Sequence, residues 1–391
     1  MRALLYLAAG LAISLGLGLS GAGHLTPLGD HALLREVCDI ALIVSVFGSG
    51  LAVERTVDRS SWRLIGLLLV VGIPATIAAI AGFAALTMGL GLGAAAVLGA
   101  ALAPTDPVLA GDLGLGPPGG PVLGEPRLSL HTEAGANDGL AAPFVVGALL
   151  LARHGGTGWI GHWVTVGVLL HVAVAVALGA LAGSLAVAVA RWLRVRADGE
   201  AGEDGRGAHV LARCALQAFV LAVPFAVYCA CEPLGAYGLV GVFVAGFAFR
   251  RGEHDELLHA RAHGISESAG RVTECVAVVL LGSLITTRGL GVPGIGGWLI
   301  APVLIVVVRP LLVLVVAVRT PLSLGERLYL GFFGVRGVAA IYYAALIAGS
   351  RVLAPHATEV VVWTTLICVT VSIFLHGVTA GPLRRRWLTE E

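Results

Sequence analysis

Apolar residues run through the chain in long blocks, and the polar positions between them recur at near-regular intervals. Stretches long enough to cross about 30 Å of hydrocarbon as helix occur about twelve times. They cover 2–20, 36–53, 63–88, 89–113, 127–150, 159–190, 211–231, 234–249, 269–290, 293–318, 324–349 and 357–380. The pattern predicts an all-α, polytopic membrane protein of about twelve transmembrane helices. Arg2 ahead of the apolar run 3–19 has the look of a signal peptide, but further spans follow in place of a polar mature domain. It reads as the first helix.

Arginine positions orient these spans. Arg55, Arg59 and Arg63 fall in the second loop, Arg127 in the fourth, and Arg191, Arg194, Arg196, Arg206 and Arg213 in the sixth. Arg250, Arg251, Arg261 and Arg271 follow in the eighth, Arg319 and Arg327 in the tenth, and Arg384, Arg385 and Arg386 at the C-terminus. The odd-numbered loops hold only Arg35, Arg153, Arg288 and Arg351. The positive-inside rule then puts both termini in the cytoplasm. Within the sixth loop, the Gly- and acid-rich segment 198–207 is expected to be a flexible linker between two halves. The polar segment 252–268, with His254, His259 and His263, is either a pH-sensing patch or an ordinary solvated connection. Five residues follow Arg386, so no nucleotide-binding or regulatory tail is expected after it.

Composition agrees with this class: 57% of residues are apolar, 13% are charged, and the formal net charge is +1. No basic run is long enough to suggest nucleic acid, and every basic residue is Arg. The six cysteines lack zinc-site spacing and mostly lie in apolar runs, where they read as small buried hydrophobes. Neither a His-Glu-x-x-His motif nor a Gly-x-Ser-x-Gly elbow occurs, so no enzyme is expected, and no cofactor.

The informative positions are polar residues inside spans, where a charge costs about 2.5–3.5 kcal/mol on insertion scales. In the fourth span Pro104 and Pro107 bracket Thr105 and Asp106. Each proline removes a backbone donor and disfavours helix just before it. Either the helix is broken there to bind an ion, or a proline kink leaves Asp106 hydrogen-bonded to a neighbouring helix. In the fifth span Glu133 and Asn137 are four residues apart and share a face. Asp138 lies about 140° around the helix from Glu133. Arg309 in the tenth span is available to Glu133, and an ion pair between them would satisfy both and leave Asp138 free. The eleventh span carries a glycine-rich interruption at 331–337 with Arg336 near its centre. Either these glycines serve close packing, or they break a second helix, with Arg336 facing negative half-helix ends and Asp106 positive ones. Spans three to five and ten to twelve thus read as counterparts in an inverted repeat.

Four segments in order, Pro-Thr-Asp-Pro-Val-Leu-Ala (104–110), Glu-Ala-Gly-Ala-Asn-Asp-Gly-Leu-Ala-Ala-Pro-Phe (133–144), Val-Arg-Pro (308–310) and Gly-Glu-Arg-Leu-Tyr-Leu-Gly-Phe-Phe-Gly-Val-Arg-Gly…Tyr-Tyr (325–343), together resemble the NhaP-type sodium/proton antiporters of the monovalent cation:proton antiporter superfamily. The resemblance runs from about residue 40 to about residue 383. It implies an NhaA-like fold with two discontinuous crossing helices, an ion-binding core near 63–150 and 293–380, and scaffold or dimerisation helices elsewhere. It implies a homodimer in the cell membrane. Asp138 would be the carboxylate that binds cation or proton, Asp106 and Thr105 would complete the Na⁺ site, and Asn137 would hold its geometry. Glu133 with Arg309 would form the structural ion pair. The Asn137–Asp138 pair, where electrogenic relatives have two aspartates, implies electroneutral exchange.

Three departures bear on that transfer. Members commonly carry one more N-terminal helix than the pattern shows here. Some have Ser after the Glu, where this chain has Ala134, and some have an acid in the second span, where 47–51 offers only Ser49. The cargo expected is Na⁺, with Li⁺ and K⁺ open, against H⁺; a potassium/proton antiporter or an organic-ion carrier on the same fold is the alternative.

Overall fold

The computed structural model describes residues 2–21, 23–53, 59–106, 125–199, 206–253 and 256–387, and every regular element among them is helical. Seven described helical stretches are long and apolar enough to span a membrane by themselves: Arg2–Ser20, Ser61–Met88, Thr132–His154, Ile160–Trp192, Gln217–Leu234, Gly294–Arg319 and Pro355–Thr379. Shorter apolar helices at Leu92–Ala101 and Val338–Ser350 stand where the sequence predicts breaks.

In chain order the α-helices of eight residues or more are α1 (Arg2–Ser20), α2 (His31–Ala52), α3 (Arg59–Leu67), α4 (Ile73–Met88), α5 (Leu92–Ala101) and α6 (Glu125–His154). Then follow α7 (His171–Gly199), α8 (Arg206–Cys231), α9 (Gly238–Gly252) and α10 (Glu256–Leu284). The last five are α11 (Gly294–Pro302), α12 (Arg309–Val316), α13 (Leu324–Phe332), α14 (Val338–Ser350) and α15 (Pro355–Trp387).

The two halves use the same local device. A wide π-helical stretch at Leu68–Gly72 precedes Ile73-Pro74, and another at Val303–Val308 precedes Arg309-Pro310. Proline has no N–H to donate, and a π turn lets the hydrogen-bond ladder step past it without ending the helix. The span after each is discontinuous. Helix α5 stops at Ala101, just before Ala103-Pro104, and α13 gives way to α14 across 333–337. The halves dock through α11 on α4 and through α15, which packs against α5, α11, α13 and α14. On the other side α2 packs against α6, α9, α10 and α14.

The polar segment 252–268 differs from the expectation of a loop. From Glu256 onward it is helix, continuous with the ninth span as α10. Glu256-Leu-Leu-His-Ala-Arg-Ala contains no proline or glycine, and two polar side chains of the segment, His259 and Ser266, meet carbonyls of α2. Ser266 Oγ donates to Val44 O at 2.9 Å, and His259 Nε2 lies 2.9 Å from Leu51 O. Of the expected linker, residues 200–205 lie outside the described residues, as does His254.

Candidate functional site

Five backbone carbonyls and amides left over by the two helix breaks are matched across the crossing. The Asp106 N–H donates to Val335 O at 2.8 Å, and its Oδ2 accepts from the Val338 N–H at 2.9 Å. Asp106 thus sits at the positive N-terminal end of α14, where a carboxylate is favoured by unpaired N–H groups and the helix dipole. In the opposite sense, Arg336 Nη1 donates to Ala103 O and Pro104 O, just past the negative C-terminal end of α5. Each broken segment therefore supplies the charge that the other segment's half-helix end requires. Pro107 lies outside the described residues.

Beside the crossing stands a second hydrogen-bonded set. Arg309 donates to Glu133 twice, Nη2 to Oε2 at 2.6 Å and Nη1 to Oε1 at 3.2 Å. Asn137 Nδ2 donates to Glu133 Oε1 at 3.1 Å and, more weakly, to Ala103 O and Thr105 Oγ1 at 3.4 Å each. Asn137 thereby links the ion pair to the broken segment. Glycine makes room for the guanidinium: a Cβ on Gly334 would lie 2.6 Å from Arg309 Nε. At Gly135 a Cβ would collide with the Ser49 side chain, so α2 and α6 meet only because that position is bare.

Asp138 stands apart. It is 1% exposed, and its carboxylate Oδ1 has no hydrogen-bond partner among the described residues. Its neighbour Asn137 also presents a buried, unpartnered oxygen, Oδ1. Two oxygen acceptors without donors suit a proton or an oxygen-seeking cation, which supplies positive charge where no N–H points. The Asp138 backbone is fixed instead, its carbonyl accepting from the Tyr343 hydroxyl at 2.9 Å. Asp106, Glu133 and Arg336 lie within electrostatic reach of Asp138.

Further contributors come from beside the predicted site residues, Ser49 and Tyr343 within segments the sequence already marks, and Ser372 and His376 outside them. Tyr343, Ser49, Ser372 and His376 are buried in the same region, the last two on α15. His376 carried a readable signal, since an ionisable residue inside the apolar run 357–380 invites the same question as Asp106. Asp39 is another acid within a predicted span. It accepts from the Tyr228 hydroxyl at 2.8 Å and lies 3.8 Å from Arg35.

A helical bundle of two related halves, with broken helices crossing at buried carboxylates, defines a polytopic membrane protein of the inverted-repeat class. The chain belongs to the transmembrane sodium/hydrogen exchanger family, whose model matches residues 3–386. Among curated relatives, it is 28% identical over 340 residues to Na(+)/H(+) antiporter 2 of Zygosaccharomyces rouxii, covering 84% of this chain and 40% of that protein. It is 32% identical over 161 residues to a probable Na(+)/H(+) antiporter of Schizosaccharomyces pombe, covering 39% of this chain and 21% of that one. The chain thus spans well under half the length of these relatives. The fold is that of the sodium proton antiporter MjNhaP1 of Methanocaldococcus jannaschii. Its structure at pH 8 superposes with a TM-score of 0.71 at 17% identity, over 96% of this chain and 92% of that one.

Proposed function

We propose that the protein is a secondary antiporter that exchanges a monovalent cation, in the first instance Na⁺, for H⁺, both competing for Asp138. The observation that carries this reading is the charge balance of the buried site. Among the described residues, Asp106, Glu133, Asp138, Arg309 and Arg336 are buried within electrostatic reach of one another, three carboxyls with two guanidiniums. Glu133 is bound by Arg309, and Asp106 by the end of α14. The remaining negative charge falls to Asp138, which one proton or one monovalent cation neutralises. Moving a bare carboxylate through a low-dielectric barrier is costly, so the loaded forms are the ones able to reorient. Alternate loading from the two sides is exchange.

In this reading Thr105 and the carboxylate of Asp106 lend oxygens to the cation beside Asp138, and Asn137 keeps the two helices in register. Glu133 with Arg309, and Arg336 at the α5 end, hold the framework. The core near 63–150 and 293–380 moves against the remaining helices in a homodimer of the cell membrane, both termini cytoplasmic. Because one unit of charge is neutralised by either ligand, the exchange is electroneutral. Li⁺ and K⁺ carry the same charge and are tested alongside Na⁺.

The test is Na⁺-driven proton movement in proteoliposomes made with the full chain. An imposed Na⁺ gradient is expected to move protons in the opposite direction with the parent and not with Asp138→Asn. Equal exchange by Asp138→Asn would remove Asp138 from the mechanism.

A further inference from the structure

The two half-helix ends that point their carbonyls into the crossing are capped by different means. Arg336 serves the end of α5. The end of α13 is served by His376 of α15: the ring Nε2 lies 2.8 Å from Phe332 O, the last residue of that helix. A carbonyl oxygen only accepts, so this contact is a hydrogen bond when the ring carries a proton on Nε2. One turn earlier on α15, Ser372 Oγ accepts the Arg336 backbone N–H at 2.9 Å and lies 3.2 Å from His376 Nδ1. The hydroxyl can therefore accept from Arg336 and donate to the imidazole at once. Nδ1 also lies 2.7 Å from the Ser372 carbonyl. The rings of Phe332 and Phe333 flank the imidazole, with centroids 5.0 and 6.0 Å away. Ser372, His376 and Arg336 are all 0% exposed.

Between Phe332 and Val338 the interrupted backbone is thus tied down at four points. Asp106 holds Val335 O and the Val338 N–H from one side. His376 and Ser372 hold Phe332 O and the Arg336 N–H from the other. Buried backbone groups without partners cost about 1–3 kcal/mol each, so this unwound stretch keeps its path only while all four ties exist. The position of the Arg336 guanidinium over Ala103 and Pro104, and with it the shape of the pocket beside Asp138, depends on that path.

We infer that His376, acting with Ser372, is a positioning residue for the cation site: it fixes the second helix break from α15 without touching the transported ion. Its transport consequence rests on the antiport reading above; its structural consequence does not. The essential feature is an N–H aimed at Phe332 O. Glutamine supplies one of similar reach, and leucine supplies none.

The experiment compares the full-length parent with His376→Leu, His376→Gln and Ser372→Ala in two readouts. The first is amide hydrogen exchange across 333–338 in the purified protein. The second is the Na⁺ concentration giving half-maximal exchange in proteoliposomes. His376→Leu is expected to lose protection across 333–338 by about tenfold or more, with the rest of α13 and α15 unchanged, and to raise half-saturating Na⁺ by about tenfold. Glutamine is expected to restore both to within about threefold of the parent, and Ser372→Ala, which leaves no cavity of note, to shift both in the leucine direction. Parental protection in His376→Leu overturns the inference, as does a glutamine variant as damaged as the leucine one. A parent without Na⁺-dependent exchange overturns the antiport reading instead, and the protection pattern still decides the role of His376.

Discussion

Arg309 grips Glu133 with both terminal nitrogens, at 2.6 and 3.2 Å, and the two residues lie in α12 and α6, helices from opposite halves of the repeat. Asn137, one turn beyond Glu133, borrows the same Oε1. The ion pair is therefore both a join between halves and the foundation on which the residue beside Asp138 is seated.

Removing one partner should cost far more than removing both. Glu133→Gln or Arg309→Met leaves a charge buried without its counter-charge, a loss of about 3–5 kcal/mol. The paired substitution by apolar residues of similar volume should recover most of that stability. Thermal unfolding of the single and double variants in detergent measures it. Additive single losses in the double variant would show that the two side chains do not act as a pair.

Gly334 and Gly135 should be intolerant for reasons that differ in whether a second change rescues them. In Gly334→Ala the new methyl meets Arg309 Nε and displaces the guanidinium, an overpacking cost of about 1–3 kcal/mol. In Gly135→Ala the obstacle is the Ser49 side chain. Ser49→Gly in the same chain is expected to restore the melting temperature of Gly135→Ala and to leave Gly334→Ala as damaged as before.

Most of the scaffold is legible because apolar length is a direct consequence of the bilayer. The broken spans were legible at Pro104 and at 331–337 because proline and glycine act on the backbone where they stand. What periodicity could not supply was pairing across the chain. Nothing local to Arg336 says that its guanidinium meets the carbonyls of Ala103 and Pro104, more than 230 residues away. Nor does the run around Ser372 announce that its hydroxyl faces the Arg336 amide. Polarity at 252–268 suggests irregular chain, but α10 begins at Glu256 because Ser266 and His259 meet carbonyls of α2.

Asp106 should act first as a helix cap. Asp106→Ala deprives Val338 N–H of its acceptor, which costs about 0.5–2 kcal/mol as caps do, whereas Asp106→Asn keeps an oxygen there. Hydrogen exchange at the start of α14 is expected to rise in the alanine variant and stay near the parent's in the asparagine one. If both variants fold but the asparagine form also binds Na⁺ as tightly as the parent, the charge of Asp106 plays no part in holding the cation.

If cation and proton compete for Asp138 as proposed, the sign of the pH dependence and the absence of a voltage dependence both follow. A proton on the carboxylate excludes the cation, so the half-saturating Na⁺ concentration should climb as pH falls. Once protonation dominates, the climb is roughly tenfold per pH unit for one proton displaced by one cation, and it levels off at high pH. Maximal rate on the cation-loading side should change much less than this half-saturation value. If two protons exchanged for one Na⁺, the slope would be about twice as steep and an imposed membrane potential would alter the rate. With Asn137 uncharged, Glu133 held by Arg309 and Asp106 held at the end of α14, Asp138 is left among the described site residues to carry the exchanged charge. A rate in proteoliposomes that is unchanged by a valinomycin-set potential is therefore the expected outcome, and a rate that follows the potential would require a second titrating group.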